Sequence, residues 1–235
     1  MESKLAEAPA LDSKPRWRVH IQHRTEPNGG DQVWEDAVLR GDLRTVVLRV
    51  LFLYGLYMLL YQAVFLIAYF GLPEKWMVGA PWFRMGEWAA AGGTWGGQFV
   101  RTLTTNLGMV CGLCAALNLQ RVRAFSVGYF MPIWLGLMTG LTLGTNSFVG
   151  MDLRGPLPFL WGTVQATTIG GAEMLGYVLV TAATVKLGIY RRGTWRWNDR
   201  FARVGRLRDV RLGWAEWVAL AMGIGLVIVA AWRES

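Results

Sequence analysis

Long apolar tracts alternate with short charged or proline-containing segments from residue 45 to the end of the 235-residue chain. Each tract approaches or exceeds the roughly 20 residues that a helix needs to cross a bilayer core of about 30 Å. The pattern predicts an all-α fold, a polytopic transmembrane helical bundle of about five spans over residues 45–232. We place the spans at about 45–71, 102–119, 124–149, 170–190 and 212–232.

The tract between residues 156 and 190 is too long for one simple crossing, and its only charges are Glu173 and Lys186. A broken or re-entrant segment at about 157–168, followed by a full span from about Gly170, fits this length. Two crossings are the alternative, and they would place the C-terminus on the other side of the membrane.

Two polar regions flank these tracts. Residues 1–44 hold eight acids and seven bases and several prolines, which predicts a largely irregular tail. Residues 191–211 hold eight arginines against two aspartates, with an apolar residue at every third position from Phe201 to Val210. This spacing predicts an amphipathic helix on an anionic lipid surface. Its lipid-contacting side chains would be Arg191, Arg192, Arg196, Arg200, Arg203 and Arg206.

The distribution of basic residues predicts the orientation. With the N-terminus in the cytoplasm, the tail, the turn containing Arg121 and Arg123, and the 191–211 segment all lie inside, which satisfies the positive-inside rule. Five crossings then place the C-terminus outside. We expect a multi-pass protein of the cell inner membrane.

Composition supports this class and argues against nucleic acid as a partner. Hydrophobic residues make up 53% of the chain, and the mean hydropathy is +0.29. The sequence pI of about 9.9 would suit nucleic acid, but the basic residues flank apolar segments and form no separate face. Anionic lipid is the partner that this arrangement favours.

The spans contain few residues that carry chemistry. The two histidines, His20 and His23, lie in the tail, so we expect no haem or chlorophyll bound through histidine. Cys111 and Cys114 share one helix face without two further ligands, so we expect no metal and no other cofactor. The 13 tryptophans offer contacts to lipid, pigment or neighbouring subunits without histidine ligation.

Glu173 is the acid in the middle of an apolar run, where a charge costs on the order of 2.5–3.5 kcal/mol. It therefore needs a partner, a water pocket or a proton, and either a transport role or a structural hydrogen-bonding role would explain it. Lys186 is about 20 Å away along a helix and is no partner. The candidate partners are Asn106, Asn146, Gln165, Thr167 and Arg101.

Three further expectations concern the ends and faces of the spans. We expect Arg49 to snorkel to the surface and Glu216 to be a solvated acid near a helix N-terminus. Gly136, Gly140 and Gly144 recur every four residues, which predicts a close packing seam. The partner of that seam is a helix of this chain or of another protein, and we favour the internal seam.

Three short motifs resemble the stage II sporulation protein M family of small polytopic membrane proteins. They are Thr105-Asn106, Gly144-Thr145-Asn146-Ser147-Phe148-Val149-Gly150 and Gly170-Gly171-Ala172-Glu173-Met174-Leu175, and the resemblance covers about residues 100–190. The chain departs from the family pattern at Ile169, where the family has His, and at Met174, Thr105 and Ser147. The resemblance implies a part in a membrane complex.

The sequence thus favours a non-catalytic integral membrane subunit or scaffold of an envelope or energy-converting assembly, with other membrane protein subunits as partners. The alternative is a small permease with a site around Glu173. An intramembrane enzyme is disfavoured because Glu173 has no catalytic companion in the sequence.

Overall fold

A computed structural model describes residues 40–91, 93–147, 169–196 and 198–235. The chain order of its helices is α1 (Leu43–Gly71), α2 (Pro81–Ala90), α3 (Trp95–Leu103), a π-helix (Thr104–Cys111), α4 (Gly112–Leu117), α5 (Phe130–Gly144), α6 (Ile169–Ala183) and α7 (Trp214–Glu234). Short 3-10 helices occur at Val127–Tyr129, Val185–Leu187 and Leu207–Asp209. The strands are β1 (Gln120–Val122), β2 (Phe125–Ser126), β3 (Tyr190–Arg192) and β4 (Ala202–Arg203).

Four helical segments of the described chain are long and apolar enough to cross a membrane: Leu43–Gly71, Trp95–Leu117, Val127–Gly144 and Trp214–Glu234. They correspond to the first, second, third and fifth predicted spans. The α6 helix covers part of the fourth, but its 15 residues extend only about 22 Å. The predicted re-entrant segment at 157–168 lies outside the described residues.

Two span boundaries differ from the prediction for local reasons. The second span begins at Trp95, seven residues early, because the Thr94 side chain accepts a hydrogen bond from Gly97 N at 3.3 Å and caps the helix. The third begins at Val127 and not at Ala124, because the residues before it form a β-hairpin of β1 and β2. The predicted tight turn between these spans is therefore built from strands.

A four-stranded sheet in the order β2-β1-β3-β4 corrects the all-α prediction. β1 pairs antiparallel with β2 and parallel with β3, and β3 pairs antiparallel with β4. The 191–211 segment is therefore not the predicted amphipathic helix. A helix there would align Arg192, Arg196 and Arg200 at four-residue spacing, where like charges repel. In the sheet, the backbone bonds with β1 hold the segment instead.

The two ends of the bundle are distinct. The sheet end comprises the four strands, the starts of α1, α5 and α7, and the ends of α4 and α6. The opposite end comprises the remaining helix ends, where Lys75 N donates to Thr145 O at 2.7 Å and Gln98 Nε2 donates to Glu234 O at 3.0 Å. Successive long helices therefore run antiparallel.

Glycines bring the helices close together between these ends. A Cβ added at Gly140 of α5 would lie 2.8 Å from Tyr61 O of α1, and one at Gly136 would lie 2.9 Å from Tyr57 O. The predicted glycine seam is thus internal to this chain. A second seam joins α6 to α7, where a Cβ at Gly176 would lie 2.9 Å from Gly223 O. Both seams let backbones approach as small residues do in membrane bundles.

Candidate functional site

The most deeply buried charge lies at the sheet end. Glu216 of α7 has no exposed side-chain surface, and its Oε2 lies 2.8 Å from Lys186 Nζ. Its Oε1 lies 3.5 Å from Nη1 of Arg49, which is also buried. The carboxylate therefore joins α7 to α1 and to the turn after α6. The expectations of a solvated Glu216 and a snorkelling Arg49 were both wrong.

The position of Glu216 follows from helix-terminus chemistry. It is the third residue of α7, and its Oε2 accepts a hydrogen bond from Gly213 N at 2.7 Å, so the side chain turns back over the start of the helix. Two cations then neutralise it where water is excluded. Because a buried charge without partners is very unfavourable, these contacts explain how the acid is tolerated.

Residues just before α1 cover this ion cluster. Arg49 Nη2 donates to Arg40 O at 2.9 Å, and Arg49 Nη1 donates to Ala182 O at 3.4 Å. A side chain at Gly41 would fall on Lys186 Nζ and lie 2.9 Å from Glu216 Oε2. Only glycine therefore lets the backbone lie over the pair. The Glu216 cluster, defined as Glu216, Arg49 and Lys186, fixes the start of α1 as well as α7.

Two buried side chains extend this polar layer toward the sheet. Asn118 Nδ2 donates to Thr181 O at 2.8 Å and to Thr184 Oγ1 at 2.6 Å, and Asn118 Oδ1 accepts from Ser126 Oγ. Arg121 of β1 donates to Val185 O, and burial lowers its pKa. These bonds tie the turn after α4 to the end of α6.

Glu173 lies at the opposite end, near the start of α6, and is partly buried. Its carboxylate accepts a hydrogen bond from the Tyr177 hydroxyl one turn later. Its carboxyl group also lies beside that of Glu234, the last residue of α7. Two acids therefore meet where α6 begins and α7 ends.

Two of the predicted partners of Glu173 are hydrogen-bonded to other groups. Asn146 Nδ2 donates to Glu74 Oε1 at 3.0 Å, and Arg101 donates to Ala91 O. Asn106 is buried in the π-helix. Gln165 and Thr167 lie outside the described residues. The sequence led us to predict that Glu173 is a structural acid with a hydrogen-bonding partner. Glu234 was not among the candidate partners.

The predicted lipid-contacting arginines differ in exposure. Arg191 and Arg192 of β3 are half-buried, and the Arg192 guanidinium lies 5.6 Å from the centre of the Phe201 ring. The remaining four are exposed on the loop and on β4: Arg196, Arg200, Arg203 and Arg206.

The Glu216 cluster was missed although the sequence carries a signal for it. Arg49, Lys186 and Glu216 each lie near the end of an apolar tract, and the predicted orientation puts all three at the same membrane side. Charges of opposite sign at one depth are candidates for pairing. Considering each residue against its own helix alone concealed this agreement.

The described residues contain no group of three or more His, Cys, Asp or Glu side chains that would hold a metal ion. Cys111 and Cys114 are free thiols in that part of the chain and are buried. They pack with Tyr177 and Val227 between α6, α7 and the second span.

Comparison with protein-family models, with curated proteins and with solved structures gave no match. The resemblance to the stage II sporulation protein M family therefore stays a prediction. In the part of the chain that the structure describes, it shows mostly helix, with four helices suited to a membrane and a small sheet at one end.

Proposed function

We propose that the chain is a non-catalytic integral membrane subunit or scaffold of a larger membrane assembly. The observation that carries the proposal is the difference between the charged groups inside the bundle and the apolar side chains on its outer surface. Charged groups at the sheet end join helices to one another in the Glu216 cluster, whereas the outward faces of the helices present large apolar side chains. Leu59 and Ile67 of α1, each 67% exposed, are examples.

In a bilayer, those faces contact lipid or neighbouring subunits. α1 buries one stripe against α5, α6 and α7, and this stripe includes Leu53, Tyr57, Tyr61 and Phe65. The other side of the helix carries Leu51, Phe52, Leu59, Ile67 and Phe70, all exposed by more than 60%. A continuous apolar face of this length suits acyl chains, and it is also the surface that a lateral protein neighbour would contact.

Site-specific photo-crosslinking tests the proposal. A photoreactive residue at Leu59 or Ile67 is expected to give a discrete adduct with another membrane protein in native membranes. The same residue at Phe65, which is fully buried, is the matched control and is expected to give none. Adducts with lipid alone, together with elution of the purified chain as a lone monodisperse monomer or homodimer, would overturn the proposal.

The topology is part of the same proposal. α6 runs antiparallel to α7, so counting α6 as a crossing gives five, with the N-terminus cytoplasmic and the C-terminus outside a cell inner membrane. The arginine-rich sheet end then faces the cytoplasm, in accord with the positive-inside rule. A reporter enzyme that is active only on the non-cytoplasmic side is expected to be active when it is fused after Ser235. The same reporter fused after Gly205 is expected to be inactive.

A small permease is the second candidate, and the proximity of the Glu173 and Glu234 carboxyl groups favours it. Two neighbouring acids suit the binding of a proton or a monovalent cation. Proteoliposomes containing the purified chain are expected to show proton or sodium flux that Glu173→Gln abolishes without loss of assembly. Flux equal to that of empty vesicles would exclude these two ions as substrates.

A further inference from the structure

The sheet end carries a surface that mixes exposed arginines with exposed aromatic rings. We call it the basic–aromatic face and define it by eight residues. They are Arg196, Arg200, Arg203, Arg206 and Arg211 with Trp195, Trp214 and Trp217, and the three tryptophans are 55%, 63% and 58% exposed.

The five arginines of this face form no ion pair within the described part of the chain, and Asp199, which lies among them, accepts a hydrogen bond from Thr194. The ion pair formed there in the 190–211 segment joins Arg208 Nε to Asp209 Oδ1 at 3.8 Å, beside the face. Arg203 Nε donates to Gly205 O at 3.1 Å, a neutral acceptor. The described loop at the opposite end is balanced by comparison, with Glu74 and Glu87 against Lys75 and Arg84.

Contacts with the membrane helices fix the depth of the face. The Trp195 ring lies 5.6 Å from the Phe125 ring and 6.3 Å from that of Phe130, the first residue of α5. Trp214 is the first residue of α7. The arginines are therefore held at the level where two membrane-suited helices begin, which is the headgroup level of a bilayer.

The face also continues into apolar surface on both helices. Phe130 and Trp134 of α5 are 45% and 47% exposed, and Val218 and Met222 of α7 are 46% and 56% exposed. Between the arginines, Val204 and Leu207 are also exposed. A nucleic acid or an acidic protein would match the arginines but not this apolar continuation.

We propose that the basic–aromatic face binds anionic phospholipid, with the arginines on the headgroup phosphate and the aromatic and apolar side chains against the acyl chains. This inference rests on the proposed membrane insertion and adds a lipid partner to it. The backbone pairing of β1 with β3 holds the face in place whether or not lipid is present, so the surface is preformed.

The test measures lipid selectivity of the purified full-length chain in vesicles. Energy transfer from tryptophan to a dansyl-labelled lipid compares phosphatidylglycerol with phosphatidylcholine as the labelled species. The wild type is expected to prefer the anionic lipid by about fivefold or more, since a single arginine near an anionic surface contributes about that factor.

Charge-matched variants assign the effect to the face. R196Q/R200Q/R206Q, which keeps two arginines of the face, is expected to lower the preference several-fold, whereas K75Q/R84Q/R233Q, which removes three positive charges at the opposite end, is expected to keep it. Size-exclusion chromatography verifies that each variant is folded. If the face variant does not fold, the three single substitutions replace it, and each is expected to lower the preference.

Three results would overturn the proposal: no preference in the wild type, equal loss of preference in both triple variants, or a full preference in a folded face variant. A fourth would be loss of the wild-type preference on addition of inorganic phosphate or RNA at low millimolar concentration. That loss would assign the face to a soluble anion. Because no partner protein is present, failure here is separate from failure of the crosslinking test of the subunit proposal.

Discussion

The two ends of the bundle hold their glutamates in different ways. At the sheet end, Glu216 is fully buried and is neutralised by Arg49 and Lys186. At the opposite end, about 27 Å away along α7, Glu234 is exposed and lies beside Glu173, another acid. Glu216 has two cations as partners, whereas Glu173 accepts a hydrogen bond from a neutral hydroxyl and has a second acid beside it. The comparison teaches that an acid in this bundle is held either by ion pairs or by neutral hydrogen-bond donors.

Glu216→Gln is expected to have the largest effect on the free energy of unfolding. It removes the carboxylate that pairs with two cations at the sheet end. The substitution leaves the buried Arg49 and the partly buried Lys186 without the carboxylate. Removing one partner of a buried ion pair costs about 3–5 kcal/mol, so we expect a loss of this order. Thermal unfolding followed with a thiol-reactive dye measures it, since Cys111 and Cys114 are buried until the bundle opens.

The double variant Glu216→Gln/Lys186→Gln is the control for that result. It removes one of the stranded cations, so its free energy of unfolding should fall by less than the sum of the two single losses. Additive losses would contradict a direct interaction between these side chains.

Gly140→Ala tests the close packing of α5 against α1 between the two ends of the bundle. The added Cβ would lie 2.8 Å from Tyr61 O, a backbone atom that cannot rotate away. We expect a loss of about 1–3 kcal/mol from overpacking. Gly225→Ala of α7 is the matched control because a Cβ there meets nothing within 4 Å, and it is expected to be neutral or slightly stabilising.

The four membrane-suited helices were predictable because hydropathy is averaged over a whole segment. An error of a few residues at a boundary hardly changes that average. The sheet was not predictable, because its strands have two or three residues and β3 finds its partner β1 about 70 residues earlier. The Glu216 cluster was missed for a related reason, since Arg49 and Glu216 are 167 residues apart. The partner of Glu173 was missed because Glu234 was assigned to a polar chain end.

Glu173→Gln sharpens the comparison by applying the same chemical change at the opposite end. A glutamine can still accept a hydrogen bond from Tyr177, and no cation loses its partner. We expect a loss of about 1 kcal/mol or less in the same unfolding assay. A loss as large as that of Glu216→Gln would show that the two ends do not differ as described.

Asp42→Ala has the smallest expected effect and concerns an exposed acid beside the Glu216 cluster. Asp42 caps α1, accepting from Thr45 Oγ1 at 2.7 Å, and this bond holds the pKa of Asp42 below its ordinary value of 3.8. A lowered pKa gives stability that is present at neutral pH and is lost as the pH falls through that range. The difference in unfolding temperature between wild type and D42A should therefore narrow on acidification, and a constant difference would contradict the capping role.

The parallel pairing of β1 with β3 has a consequence for biosynthesis. β1 leaves the ribosome before β3. The edge of β1 that pairs with β3 therefore stays unpaired while the chain up to α6 is synthesised. In the five-crossing topology proposed above, β3 reaches that edge only if α6 returns the chain to the side of the membrane where β1 lies. The formed sheet would then report that α6 has crossed, because β1 and β3 would lie on opposite sides of the bilayer in a chain whose α6 does not cross.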